Sequence, residues 1–348
     1  MGEGGILGVT SFPADGVFQG GGIKGLAIAG ALVEFEANDR LRVERWVNVA
    51  GTSAGAILAA YLAAGHTAVE LAALIDRAPF PSFQDWGPGG KFLGGARNLL
   101  RRHGLVRGEE FRRWFDRELG GMTFAAVKSE PEPGGAPPEH PYRLRMIAAD
   151  VTNQRLLVLP DDLHRYRLPN EPGAIDPDRF KIADAVRMSL SIPYFFPPIE
   201  LIDGNSGKPA TIIDGGTLSN FPVWLFDTDR RDPRRPTFGL RLVGGRPVGG
   251  GLRTAVRMLG WPAALGADIV DTLSSAWDDR FVSRSVRVRT CTVDGDDVGT
   301  TDFDLSQAKR SELIRGGERA ARAFLATYDL ERYRNTFGRH LQLDARGG

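Results

Sequence analysis

Cysteine is nearly absent. The chain has one in 348 residues, Cys291, so no disulfide can close within it. That thiol sits in a strand-like run, Val286 to Val293, and reads as a buried core residue; a reducing, cytoplasmic setting is consistent with this. An excess of one charge is missing too. The 44 basic and 43 acidic residues leave a formal net charge of +1, which gives no general pull toward nucleic acid. The cluster Arg230-Arg231-Asp232-Pro233-Arg234-Arg235 therefore reads as a solvated loop. No apolar run is long enough to span a bilayer. The N-terminus lacks a charged region followed by an apolar block, so no signal peptide is expected. Gly2 follows Met1, but Ile6 stands where myristoylation needs Ser or Thr. Internal repeats and a strong interdomain linker are lacking as well. What is present is ordinary globular composition, 42% hydrophobic and 25% charged, in a chain long enough for one large α/β domain.

Residues 16–19 read as a short strand, and Leu26 to Glu36 as a helix. Trp46 to Ala50 is a second strand, with a small-residue helix from Ala54 to Ala64. This β-loop-α-β-turn-α series predicts an α/β fold, a mostly parallel central sheet flanked by helices. Further along, Glu109 to Leu119 has the pattern of an amphipathic helix. Ser129 to Pro141 holds five prolines and reads as a surface insertion. Leu144–Thr152 and Gln154–Leu159 look like tightly joined strands. Phe180 to Met188 reads as a helix broken by Ser191-Ile192-Pro193. Ala210 to Ile213 is a strand running into Asp214-Gly215-Gly216, Thr237 to Val243 is another, and Ser311 to Tyr328 is a closing helix. The aromatic stretch Phe80, Phe83, Trp86, Phe92 and the segment Ala255–Trp277 have two readings. One is a lid or lipid-facing surface, with Trp261 and Trp277 in it; the other is core and loop packing.

Chemistry concentrates at two turns. Gly51-Thr52-Ser53-Ala54-Gly55 follows an apolar strand and precedes a helix. A nucleophilic serine on a tight strand-to-helix turn needs small residues on both sides, and Gly51 and Gly55 supply them. Gly20-Gly21-Gly22-Ile23-Lys24-Gly25 satisfies G-x-G-x-x-G between a strand and a helix. A dinucleotide site would need an acidic residue at the end of the second strand, which ends in Ala50-Gly51-Thr52-Ser53 instead. A Walker loop would need Lys-Ser/Thr after Gly25, where Leu26-Ala27 stands. The remaining readings are an oxyanion hole, three glycines presenting N–H groups at a helix N-terminus, which the serine turn on the adjacent strand favours, and a tight strand-to-helix turn with no ligand. Lys24 is read either as a solvated first-turn lysine or as a lock on the loop that attracts an anionic head group.

A serine hydroxyl needs a base. The five histidines are His66, His103, His140, His164 and His340, and none lies at an obvious strand end. Asp214 does: it closes an apolar strand, and Gly215 and Gly216 let the chain turn sharply behind it. A plain Asp-Gly turn cap is the competing reading.

These three motifs, in order, resemble those of the patatin-like phospholipase family. Ala185 to Pro198, before the aspartate strand, and Asp214 to Val223, with its downstream Asn and Pro, are similar to family segments. The resemblance covers roughly residues 14–330 as a single catalytic domain, with 1–13 as a short extension and 331–348 as a tail. It implies a three-layer sandwich and a Ser53–Asp214 dyad. Gly20, Gly21 and Gly22, with Ala54, would be oxyanion donors. Lys24, Gly25, Gly51, Gly55, Gly215 and Gly216 would be supporting positions. It further implies a lipid or phospholipid substrate, transient membrane contact, and no metal or other cofactor. Gln19 departs from the family, many of whose members carry Asp there. A soluble-substrate esterase or thioesterase, and a trigger-dependent or idle effector on the same fold, are the alternatives.

Overall fold

In the computed structural model, the described residues are 9–86, 90, 95, 97–99, 101, 103–131, 137–227, 234–244, 284–295, 298–299 and 305–336. The expected segment Ala255–Trp277, Phe92, His340 and Arg230 to Pro233 lie outside them.

The first strand is longer than the sequence suggested. β1 (Thr10–Phe18) begins inside the expected N-terminal extension and leads through a 3-10 turn, Gly22–Lys24, into α1 (Gly25–Ala37). Then come β2 (Leu41–Thr52), α2 (Ala54–Ala63), α3 (Ala68–Asp76), α4 (Phe80–Phe83) and α5 (Glu109–Glu118). The hairpin is β3 (Leu144–Asp150) and β4 (Arg155–Leu159), followed by β5 (Tyr166–Arg167) and α6 (Ile182–Ser189). β6 (Ile199–Asp203) and β7 (Pro209–Asp214) form a second antiparallel pair. β8 (Thr237–Val243), α7 (Arg284–Val288), β9 (Thr290–Asp294) and α8 (Gln307–Thr327) follow.

All nine strands join one sheet, in which β1, β2, β3, β8 and β9 pair in parallel and the β4 to β7 side pairs antiparallel. The fold is α/β with a mixed sheet between layers of helix. The central strands read as near-continuous apolar runs because both faces are covered. Alternation decides which residue serves which face. Phe18, Val49, Met146 and Ala148 join the main core under the long helices. Their neighbours Val17, Ala50 and Ile147 face a smaller cluster with Phe221, Val223, Leu225, Phe226 and Val286.

Helix α1 is buried along most of its length and packs against α8 at very short range. A Cβ on Gly30 would fall 2.0 Å from the Ile314 carbonyl oxygen, and one on Gly317 only 1.8 Å from that of Ala27. Two helices this close need glycine at both crossings. The packed chain also runs past residue 330. Tyr333 is 1% exposed, and its hydroxyl accepts the Thr237 N–H at 3.2 Å, so the start of the expected tail is core.

Several surface expectations are overturned by burial. Arg235 is not a solvated loop residue but pairs with buried Asp15 at 2.8 Å, and Asn48 donates to the same carboxylate. Burial pushes Asp15 up to about 6 even so, with Arg235 opposing it. Cys291 is buried as expected, its thiol pushed up to about 12 by desolvation. Phe80 and Phe83 are core residues, which favours packing over membrane insertion for that stretch. Among the described residues, no helix is long and apolar enough to cross a membrane.

Candidate active site

Strand pairing brings Ser53 and Asp214 together. Strand β3 has two edges. Residues Met146 to Asp150 pair with β4 on one of them. The other is shared end to end: β2 runs along it as far as Thr52 opposite Ile147, and β7 starts beside it with Asp214 opposite Ala148. Because β2 is parallel to β3 and β7 antiparallel, their C-terminal ends meet head-on. Consecutive positions on β3 are about 3.3 Å apart. The residue after β2 is Ser53, and the last residue of β7 is Asp214.

Ser53 has φ 53° and ψ −123°, a left-handed conformation for a residue with a side chain. Such a conformation costs on the order of 1–3 kcal/mol and persists only where the surroundings impose it. The flanking glycines allow it by close approach. A Cβ on Gly51 would lie 2.2 Å from the Gly55 carbonyl, and one on Gly55 would lie 2.1 Å from the Phe18 carbonyl oxygen. The Ser53 carbonyl accepts the Ala56 N–H at 2.8 Å, and its own N–H donates to Ser189 Oγ at 3.0 Å.

Asp214 is buried. Burial pushes its carboxyl up to about 6; the Ser53 hydroxyl and the Gly216 N–H, as hydrogen-bond donors, hold it lower than burial alone would. The Gly216 N–H reaches Oδ1 at 2.7 Å, while Oδ2 is buried without a partner at full hydrogen-bond geometry. The Ser53 hydroxyl thus acts on the carboxylate as a donor without meeting full hydrogen-bond geometry. Among the described residues, no histidine contributes to the shift of this carboxyl. His66 stacks on Tyr61, His164 is bonded to the Asp161 carbonyl, and His140 lies against Phe226, pushed down to about 4 by burial.

The glycine loop lies beside this pair, and one expected donor is corrected. The Gly20 N–H is committed to the Asn220 carbonyl at 3.2 Å, and Asn220 Nδ2 returns a bond to the Gly20 carbonyl at 3.3 Å. Gly20 therefore anchors the loop. Gly21, Gly22 and Ala54 carry the first N–H groups of their helices, which have no acceptor inside the helix. Lys24 is buried, with its stem against Gly295, so the solvated reading is excluded. Gln19 stitches the loop to β8: its N–H donates to the Leu240 carbonyl and its Oε1 accepts the Leu242 N–H at 2.6 Å. Gly25 opens α1 and faces Ala54, and Gly215 packs on the Ile147 carbonyl.

An apolar pocket opens from Gly22 and Ala54, passes Leu190 and Ile192, and is walled by Phe80, Phe83, Phe111 and Trp114. Its enclosed part is about 70 Å³, half of the roughly 150 Å³ that holds a benzene-sized guest. Among the described residues, no group of three or more His, Cys, Asp or Glu side chains forms a metal-ligand set.

Three partners of the site escaped the sequence reading: Ser189, Ser191 and Asn220. They lie in segments similar to family blocks, but only the folded chain shows what each one holds.

Residues 16–227 match the family model described as patatin-like phospholipase. The uncharacterized protein YqhO of Bacillus subtilis (strain 168) is 38% identical over 320 residues, covering 89% of this chain and 97% of that protein. VipD from Legionella pneumophila aligns over 91% of this chain and 67% of its own, at 16% identity and a TM-score of 0.49. ExoU, in its complex with SpcU from the type III secretion system of Pseudomonas aeruginosa, aligns at 17% identity and a TM-score of 0.48; the chain spans about half of it (52%). The family model covers more than half of the chain, and the chain belongs to the patatin-like phospholipase family.

Proposed function

We propose that the protein is a serine hydrolase of lipid acyl esters, with Ser53 as nucleophile and Asp214 as its base. The observation that carries this is the head-on meeting of β2 and β7, which sets a strained serine against a buried carboxylate whose affinity for protons is raised. A carboxylate near its ordinary pKa of about 4 is a feeble base at neutral pH, and one near 6 is a better match to a hydroxyl proton.

In this reading Asp214 takes the Ser53 proton as Oγ attacks the acyl carbonyl. The oxyanion rests on the N–H groups of Gly21, Gly22 and Ala54, each worth about 3–4 kcal/mol of barrier. The alcohol leaves with the proton returned by Asp214. Water, deprotonated by the same carboxylate, then attacks the acyl-enzyme and releases the fatty acid as Asp214 returns the proton to Ser53 Oγ. The acyl chain lies in the apolar pocket. A second reading is favoured by the small enclosed volume of that pocket: the same dyad acting on short-chain, water-soluble esters.

Ser53→Ala is expected to lose hydrolysis of phospholipid vesicles and of p-nitrophenyl esters, and to lose labelling by a fluorophosphonate, while its melting temperature is maintained. Turnover retained in that variant would overturn the proposal. Comparing the two substrate types in wild type separates the two readings.

A further inference from the structure

The strained serine needs something to hold it. Among the described residues, Ser189 is the one side chain bonded to the backbone of Ser53. Its Oγ accepts the Ser53 N–H at 3.0 Å and donates to the Ile147 carbonyl at 2.6 Å. Ile147 is the β3 residue opposite the end of β2, immediately before the one opposite Asp214. The hydroxyl thus ties the serine turn to the point on β3 where the two strand ends meet. Ser189 is 0% exposed, so water cannot replace either bond.

The same turn holds the other half of the pair. The Asp214 N–H donates to the Ser191 carbonyl at 2.9 Å. Ser191 is fixed in turn by Arg187, a buried cation whose Nη1 donates to Ser191 Oγ at 2.8 Å and whose Nη2 donates to the Pro197 carbonyl at 3.0 Å. Its guanidinium lies over the Phe196 ring, 4.8 Å from the centroid. Burial lowers this guanidinium to about 10, with Glu109 and Asp85 opposing the shift, so it stays charged at neutral pH. Ser189 to Ser191, where α6 ends, therefore hold both Ser53 and Asp214.

We propose that Ser189 is a positioning residue for the reaction: its hydroxyl holds the Ser53 backbone in the conformation that aims Oγ between Asp214 and the acyl carbonyl. This rests on Ser53 being the nucleophile. Ser189 touches neither substrate nor the reacting atoms, so its loss should act on the chemical step and not on binding.

The test uses the full chain as wild type, Ser189→Ala, Ser189→Cys and Ser189→Thr. For each, the measurements are kcat and KM on a p-nitrophenyl ester, the rate of Ser53 labelling by a fluorophosphonate, and the melting temperature. Ala and Cys are expected to lower kcat about 10- to 100-fold, the cost of a misplaced reacting group, with KM within about twofold and labelling slowed in step. Thr keeps the hydroxyl and is expected to stay within about fivefold of wild type. Wild-type kcat in the Ala or Cys variant overturns the proposal. So does a Thr variant as slow as Cys, because Ser189 would then serve packing alone. If Ala does not fold, the contrast between Cys and Thr decides in the same way. A wild type that neither hydrolyses esters nor labels would instead overturn the Ser53 assignment itself.

Discussion

Asp214 carries two opposed demands on one side chain. In its proposed role as a base it must be ionised, and as a buried group its ionised form is disfavoured. Its carboxyl is pushed up from 3.8 to about 6 by burial. In the unfolded chain it ionises near the ordinary value, so the folded state binds a proton more tightly. The neutral form therefore contributes stability that is fully present below about pH 4 and lost as pH rises through about 6. A shift of about two units corresponds to a cost on the order of 3 kcal/mol for holding the charge at neutral pH. Activity should run the other way, with kcat/KM falling as pH drops below about 6. Asp214→Asn is expected to be inactive yet to melt higher than wild type at pH 8, with the difference closing by about pH 4. Thermal unfolding of both proteins across that range checks the sign.

At the level of elements, the apolar pocket is a joint product of α4 and α5. The Phe83 ring meets Phe111 edge-on at 5.4 Å and Trp114 at 5.0 Å, so the far wall is a packed aromatic cluster. This wall bounds the pocket away from Ala54, so in the proposed reading it limits how long an acyl chain the site takes. Trp114→Ala should open it. The ratio of kcat/KM for a dodecanoate over a butyrate ester is expected to rise about tenfold or more, as methylene discrimination in an apolar pocket would give. A chain-length series in both proteins reads this directly, and an unchanged ratio would place the acyl chain elsewhere. The α5 helix was legible in the sequence from its period. Its contact with α4 was not, because the short Phe80–Phe83 helix follows a proline and gives no periodic signal.

Across the whole molecule, the glycine loop is joined through α1 to a tight helix crossing outside the site. Helix α1 carries the glycine loop at its N-terminus and crosses α8 at Gly30 and Gly317. Gly317→Ala would drive a methyl group into the Ala27 carbonyl, which is backbone and cannot swing aside. Overpacking of this kind costs about 1–3 kcal/mol. The expected result is a lower denaturant midpoint together with reduced kcat, since the loop moves with α1. Urea unfolding followed beside ester hydrolysis checks both effects; a loss of stability with full activity would show that the loop is held independently by Gln19 and Asn220.

The sequence by itself determined the local chemistry. The glycines around Ser53, the small-residue helix behind it, the Gly20–Gly25 loop and the Asp-Gly-Gly turn are fixed by what a backbone can do within a few residues, and they are readable without a partner. Strand positions followed from apolar runs, though not the full length of β1 and β2, the presence of β5 and β6, or the helical start of the run from Val286. Tertiary structure alone decided the rest. It placed β7 antiparallel on the same edge of β3 that β2 occupies, buried Lys24, paired Arg235 with Asp15, committed the Gly20 N–H to Asn220, and brought Ser189 to the serine turn. These are pairings between residues far apart in the chain, settled by which edges and faces remain to be covered once the sheet assembles, and no local pattern records that choice.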